Sequence, residues 1–351
     1  MDDRRFAICH LPSAMLHGRW TAENRAALEK LLAQKFSYAP IAIFDWDGTC
    51  AFGDTADTVF HAQCRDLAFH FNSPEFVAWV EEIPVPTRIL ECYETYRAHK
   101  SAETRAALHF ELERTRWALH QSEDDNQAWA WDAGAFVGWT PAQVREYTRR
   151  VVARELAQAR RVETLTSDDP RALELARAME PRHAVHDAQS LSVSTMHAGK
   201  IQDERLTLEL ARGLRMCWEI RDLMHAFRRA GWQVFVITAS PQWEIEAFVE
   251  RYFLPPENVI GMRRAVVNGK ITAAFEPPCS WGDGKLDAYQ MFVTRERPPN
   301  FCAGDSVGDW KLLEWATDAA LVVEPTRAAL REFAQWKHSL GETWLIQNFE
   351  E

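Results

Sequence analysis

The sequence predicts an α/β protein: a Rossmann-like core with a central parallel sheet flanked by helices, and a large helical cap inserted after the first strand. Three observations predict it. From Leu214 onward, short strand-like runs alternate with amphipathic helical stretches, the rhythm of parallel strands joined by crossover helices. Far upstream, the apolar run Ile41-Ala42-Ile43-Phe44 ends in Asp45-Trp46-Asp47-Gly48-Thr49, as a buried strand does when it delivers polar groups at its carboxyl end. Between them the chain is rich in Ala, Glu, Arg and Leu at helical spacing and poor in β-branched runs. The predicted division is a core of residues 1–51 and 211–351, interrupted by a helical cap of residues 52–210.

In order along the chain, Ala27, Leu28, Leu31, Leu32 and Phe36 mark a helix over 21–36, stopped by Pro40, and the 41–44 strand follows. Within the insert, Ser73-Pro74 and Thr140-Pro141 are helix starts, each a hydroxyl N-cap before a proline in the first turn; Asp169-Pro170 is a third, with an acidic cap. Trp218 to Arg229 is an amphipathic helix ended by Gly231, and Gln233 to Ile237 is a strand. Pro241 opens a helix reaching about Phe253. Asn258 to Gly261 is a short strand, and Val267-Asn268-Gly269-Lys270 reads as a hairpin turn. Lys285 to Thr294 is a helix, Phe301 to Ala303 a strand ending at Gly304-Asp305, Asp309 to Trp315 a helix, and Ala319 to Val323 a strand.

A chain of 351 residues suits about two domains, and 47% apolar with 26% charged residues excludes disorder. Forty Lys and Arg against 51 Asp and Glu give a net charge of −11, which lacks the basic footprint that nucleic acid or an anionic membrane requires. No apolar run approaches the ~18 residues of a membrane span, and Met1 to Phe6 leads into no signal-type stretch, so a cytoplasmic protein is expected. The 7 Cys contain no Cys-x-x-Cys pair and read as reduced thiols. His183, His186 and Asp187 lack partners at metal-binding spacing. The composition is compatible with a homo-oligomer. Fifteen Trp are an excess that needs either packing or binding work.

Carboxyl ends of strands in an open α/β sheet share one crevice. Asp45 and Asp47, Thr238 and Ser240, and Asp305 and Asp309 should therefore meet, although about 260 residues separate the first from the last. Lys285, at a Gly282-Asp283-Gly284-Lys285 helix start, can send one cation to the same place. Three or four carboxylates at one rim repel each other, so their coexistence implies a hard cation, Mg²⁺ being the usual choice with phosphates. A carboxylate nucleophile, a metal, a hydroxyl and an ammonium are the parts of a phosphoryl-transfer site.

Asp45-Trp46-Asp47-Gly48-Thr49, Val236-Ile237-Thr238-Ala239-Ser240, Lys285 and Gly304-Asp305-Ser306-Val307-Gly308-Asp309 occur in the order and context of four motifs. In this the sequence resembles the haloacid dehalogenase superfamily of aspartate-nucleophile phosphatases. The stretches from Leu206 through Trp218, Trp232 to Ser240, and Glu257 to Gly261 resemble its phosphoserine phosphatase and phosphorylcholine phosphatase-like branch. The resemblance implies that Asp45 is the nucleophile, Asp47 the acid and base, and that Thr238, Ala239, Gly48 and Lys285 hold phosphate. It implies Mg²⁺ bound by Asp45, the Asp47 backbone carbonyl and Asp305, with Asp309 either a ligand through water or the orienter of Lys285. It also places Asp54 and Asp57 where related enzymes put acidic groups facing a substrate amine. Trp79, Trp117, Trp129, Trp131 and Trp139 of the insert are candidates for an aromatic face toward a quaternary ammonium. The expected activity is hydrolysis of a small, amine-bearing phosphate monoester such as phosphorylcholine or phosphoserine. Phosphoryl transfer to another acceptor and a catalytically silent phosphate-binding scaffold are the alternatives.

Overall fold

The computed structural model describes residues 16–83, 85–121, 125–178, 197–202, 204–323 and 328–349; Met1 to Phe6, His183, His186 and Asp187 lie outside them. Helix α1 (Ala22–Leu32), capped by the Thr21 hydroxyl, precedes strand β1 (Ile41–Phe44). Strand β2 (Ala51–Phe52) leads to helices α2 (Thr55–Asp66), α3 (Pro74–Glu81), α4 (Ile89–Ala98), α5 (Ala102–His120), α6 (Asp125–Asp132) and α7 (Pro141–Leu156). Strand β3 (Arg161–Ser167), helix α8 (Pro170–Ala178) and strands β4 (His197–Gln202), β5 (Arg205–Arg212) and β6 (Arg215–Met216) come next. There follow α9 (Trp218–Arg229), β7 (Gln233–Pro241), α10 (Gln242–Val249), β8 (Val259–Val267), β9 (Lys270–Glu276) and α11 (Gly284–Phe292). The described chain ends with β10 (Phe301–Gly304), α12 (Trp310–Trp315), β11 (Ala319–Val323), α13 (Ala328–Ser339) and β12 (Trp344–Gln347).

The main sheet runs β12-β11-β10-β1-β7-β8-β9, parallel throughout except for the last pair. All four residues of β1 are buried because both faces are covered. Ala42 and Phe44 point into one layer with Phe227 of α9, while Ile41 and Ile43 point into the other with Tyr289 of α11 and Leu312 and Leu313 of α12. Chain order advances from β1 through β7, β8 and β9 on one side, then restarts with β10 on the other. The order therefore reverses at β1, and beyond its carboxyl end the sheet leaves a crevice.

The chain leaves and re-enters the core through a narrow neck. Here β2 pairs antiparallel with β6, joining Ala51 to Met216 and Phe52 to Arg215. Just beyond, Gly53 and Gly213 face each other at φ +86° and +96°, and a Cβ on Gly53 would stand 2.6 Å from the Gly213 carbonyl oxygen. Between β2 and β6, the Ser73 and Thr140 caps form as expected, each hydroxyl accepting from the backbone three residues on. Pro170 opens α8, and the Asp169 carboxylate accepts from the Arg171 N–H at 2.9 Å.

Purely helical character in the insert is corrected by an antiparallel sheet in the order β3-β5-β4. Leu206, Leu208 and Leu210 alternate inward along β5 and pack on Phe110, Ala172, Leu173 and Ala176. That period of two was hidden by a composition dominated by Leu, Glu and Arg, which helices also favour. The insert is docked on the core by α7 against α10 and the residue that caps it, through Arg145 to Glu246 at 2.7 Å and Arg149 to Glu250 at 2.5 Å. It also closes the β9 edge, where Ile271 exchanges 2.8 Å backbone hydrogen bonds with Gly138 and Trp139. Among the described residues no helix is long and apolar enough to cross a membrane.

Candidate active site

Asp45 is the first residue past β1, and its N–H donates to the Ala303 carbonyl of β10 at 2.9 Å, which extends the ladder by one step. The chain then turns tightly, with the Trp46 carbonyl accepting from the N–H groups of Thr49, Cys50 and Ala51. Trp46 is buried against Phe248 and Tyr252 at 5.1 and 5.0 Å between ring centroids, and its indole N–H donates to Thr55 Oγ1 at 3.1 Å. The turn is thus anchored from beneath, and Asp45 and Asp47 emerge on the crevice side.

Lys285 Nζ, supplied by the first turn of α11, bonds both Asp45 Oδ1 and, at 2.5 Å, Asp309 Oδ1. Asp309 Oδ2 accepts from the N–H groups of Asp305 and Ser306 at 3.2 and 3.1 Å and so shapes the loop after β10. Asp305 lies against Gly48, where a Cβ would come within 2.3 Å of its carboxylate; the φ of +81° at Gly48 disfavours a side chain as well. The Gly48 N–H is spent on the Ala51 carbonyl at 2.8 Å, so Gly48 contributes close approach rather than the phosphate donor expected of it.

Thr238, Ala239 and Ser240 form the buried end of β7. Thr238 Oγ1 accepts the Ser240 N–H at 3.1 Å, which leaves its own proton to donate elsewhere. Ser240 itself, expected to meet the others, does so through Asp47: its hydroxyl donates to Asp47 Oδ2 at 2.6 Å, and the Thr55 N–H at the start of α2 donates to Asp47 Oδ1 at 2.7 Å.

Burial dominates the electrostatics. It pushes the Asp45 carboxyl up to about 7, helped by the charge of Asp309 and opposed by Lys285. Asp47 rises to about 6 by burial, against the bonds from Ser240 and Thr55. Asp305 is held well above the carboxylate range by burial and by Asp45 and Asp309. Burial works against the Lys285 ammonium, but Asp309 and Asp45 outweigh it and raise its pKa. Among the described residues, Asp45, Asp305 and Asp309 each offer an oxygen within 4.8 Å of the others. One ammonium facing three buried carboxylates leaves negative charge over, and an all-oxygen set of this kind fits a hard divalent cation. Ser240→Ala removes a donor that favours ionised Asp47, so the Asp47 titration should move upward by about one pH unit. Carboxyl ¹³C NMR checks this, and an unmoved titration would show the bond to be without influence.

The other candidates separate. Asp57 is taken by Arg116, whose Nη2 lies 2.5 Å from Asp57 Oδ1, so it is not free to meet a substrate amine. Asp54 caps α2, accepting the Asp57 N–H at 2.8 Å, and burial together with Asp57 and Asp47 raises its pKa well above the usual range. Trp79 and Trp131 stack at 4.2 Å inside the insert, and Trp139 packs on Phe136 and Tyr147. Trp117 leans on the β5 cluster. Trp129 alone of the five shares a buried cluster with Ala239, with Trp281 at 5.7 Å. Sequence reasoning missed Glu244, a buried acid in α10 whose Oε2 has no hydrogen-bond partner among the described residues. Burial, Asp132 and Asp47 raise its pKa. The readable sign was an acid next to Trp243 and Ile245 in a helix buried on all sides.

Residues 139–314, half of the chain, match the family of haloacid dehalogenase-like hydrolases. No curated protein matches in sequence. Among solved structures, a conserved, functionally unknown protein from Anaerococcus prevotii is 18% identical, with a TM-score of 0.66 over 96% of this chain and 94% of that one. A protein of unknown function from Bordetella pertussis is 15% identical, with a TM-score of 0.50 over 88% and 98%. A hydrolase from Salmonella enterica serovar Typhi, titled as of this same family, is 13% identical, with a TM-score of 0.41 over 97% and 80%.

Proposed function

The chain belongs to the haloacid dehalogenase-like hydrolase family, and on that premise we propose that it is a Mg²⁺-dependent phosphomonoesterase working through an aspartyl-phosphate on Asp45. The observation that carries this reading is the contact of Lys285 with both Asp45 and Asp309, beside Asp305, at the point where the strand order reverses. Asp45, Asp305 and the Asp47 carbonyl would hold Mg²⁺, with Asp309 fixing Lys285. When bound, the cation neutralises the carboxylates and the phosphoryl oxygens.

Lys285 holds Asp45 Oδ1 in place. The Asp45 carboxylate attacks phosphorus as the bond to the leaving oxygen breaks, and Asp47 gives that oxygen its proton. Asp47, now ionised and still held by Ser240 and Thr55, takes a proton from the water that attacks the phosphoryl group. The phosphorus–Asp45 bond breaks, releasing phosphate and restoring Asp45. Thr238 donates its hydroxyl proton to a phosphoryl oxygen throughout.

The substrate we infer is a small phosphate monoester whose leaving group carries an amine, such as phosphorylcholine or phosphoserine. Its support is the acidic wall near Asp47: Asp54 and Glu244 are buried acids there whose ionisation burial opposes, while Asp57 is neutralised by Arg116. An ammonium head would favour their ionised form and be held by it. Phosphate release from phosphorylcholine, phosphoserine and glucose 6-phosphate, each with and without Mg²⁺, tests both parts. Cation-dependent release with at least about tenfold higher kcat/KM for the amine esters is expected, a difference of ~1.4 kcal/mol. Preference for the sugar ester would remove the amine reading and leave the phosphatase standing.

A further inference from the structure

We propose that Arg116, which lies outside the phosphate site, is a positioning residue that clamps the first turn of α2 so that Asp47 stays aimed at the leaving oxygen. The proposal rests on the reading of Asp47 as the acid. Asp47 is held by two donors from different elements, the Thr55 N–H of α2 and the Ser240 hydroxyl at the end of β7. Its direction therefore depends on how those two elements sit relative to each other.

Arg116, from α5, is 1% exposed and grips α2 twice. Its Nη2 lies 2.5 Å from Asp57 Oδ1, two residues past Thr55, and its Cζ lies 5.1 Å from the ring centroid of Phe60 one turn further on. Asp132 of α6 takes the adjoining edge and shares Nη2 with Asp57, with Nε to Oδ1 at 2.9 Å and Nη2 to Oδ2 at 2.7 Å. His120 Nε2 closes on Asp132 Oδ2 at 3.0 Å, and Trp129 stands edge-on to the His120 ring at 4.8 Å. Trp129 shares a buried apolar cluster with Ala239, the residue between Thr238 and Ser240, where α6 meets β7. One planar, rigid fork thus ties the element carrying Thr55 to the helix that leans on the element carrying Ser240. A displaced acid costs rate long before a fold fails, since a shift of ~1 Å can remove ~100-fold.

An acid matters only where the leaving oxygen needs a proton. At the step that kcat/KM reports, departure of the leaving oxygen, an alkyl phosphate needs the Asp47 proton and p-nitrophenyl phosphate, which expels a stable phenolate, does not; the later work of Asp47 as base is common to both esters. The experiment measures kcat/KM for both esters with the full chain in Mg²⁺, for the parent, Arg116→Gln and Asp57→Asn, with thermal unfolding followed for each. Arg116→Gln should lose about 100-fold on the alkyl ester and under about fivefold on the aryl ester. Asp57→Asn, isosteric and less disruptive, should show the same selectivity and decides the matter where Arg116→Gln does not fold. Equal losses on the two esters, or failure of both variants to fold, would make Arg116 a structural residue only and overturn the proposal. A parent chain that hydrolyses neither ester would refute the phosphatase reading instead.

Discussion

Asp45→Asn is expected to lose at least about 10⁴-fold in phosphate release while melting no lower than the parent chain. The loss follows from the chemistry: an amide of the same shape cannot form the phosphoryl ester, and nothing else in the turn offers a carboxylate in that place. The retained fold follows from the electrostatics. Burial and the neighbouring Asp309 already resist ionisation of Asp45, which is why its carboxyl sits at about 7. A neutral amide removes one of three mutually repelling groups, and Lys285 keeps its 2.5 Å bond to Asp309. Phosphate release in Mg²⁺ and a thermal melt of the cation-free protein check the two halves. Turnover within tenfold of the parent would sink Asp45 as nucleophile, whereas a collapsed melt would mark it as a structural group.

The elements that position the site were legible because each is a short apolar run ending in polar residues. Ile41 to Phe44, Gln233 to Ile237 and Phe301 to Ala303 can only be buried strands, and order along the chain then brings Asp45, Thr238 and Asp305 to one rim. Helix α9 was equally plain, since Ile220, Leu223, Met224 and Phe227 recur on one face. The β3-β5-β4 sheet was not, because alternation over Leu206, Leu208 and Leu210 uses residues that favour helices, and pairing with β3 spans a long intervening stretch.

Side chains fixed by tertiary packing left no local trace. Ser240 looks like a helix cap two residues before α10, yet it bonds Asp47. Asp57 looks like a first-turn acid available to a ligand, yet Arg116, 59 residues away in sequence, claims it. Arg116 itself reads as one more cation on a polar helix. Only the arrival of α5 and α6 over α2 turns it inward, and no periodicity announces that. Part of the Trp excess resolves the same way: Trp46, Trp79 and Trp131 fill cores, and the indole N–H groups of Trp79 and Trp131 each reach the other's backbone carbonyl.

Removing the divalent cation should abolish turnover, by at least about 10³-fold, and should also change how stability responds to pH. In the cation-free protein the folded state holds Asp45 near 7 and Asp47 near 6, against 3.8 for each ordinarily. Between those limits the folded chain binds more protons than the unfolded one. The stabilising contribution of these groups is therefore complete below about pH 3.8 and is lost as pH rises through 6 and 7. Mg²⁺ acts in the opposite sense, because its ligands must be ionised and protons compete with it below about pH 7. At a concentration 100 times its Kd at pH 8, Mg²⁺ should add about 2.7 kcal/mol, a rise in Tm of roughly 4 °C, and markedly less at pH 5. Melting curves with Mg²⁺ and with EDTA at the two pH values measure the difference. An equal Mg²⁺ effect at both, or a larger one at pH 5, would place the cation somewhere other than on Asp45 and Asp305. Retention of the pH-dependent Mg²⁺ effect in Asp45→Asn at a reduced size would assign the remainder to Asp305, whose burial against Gly48 leaves it facing the same point.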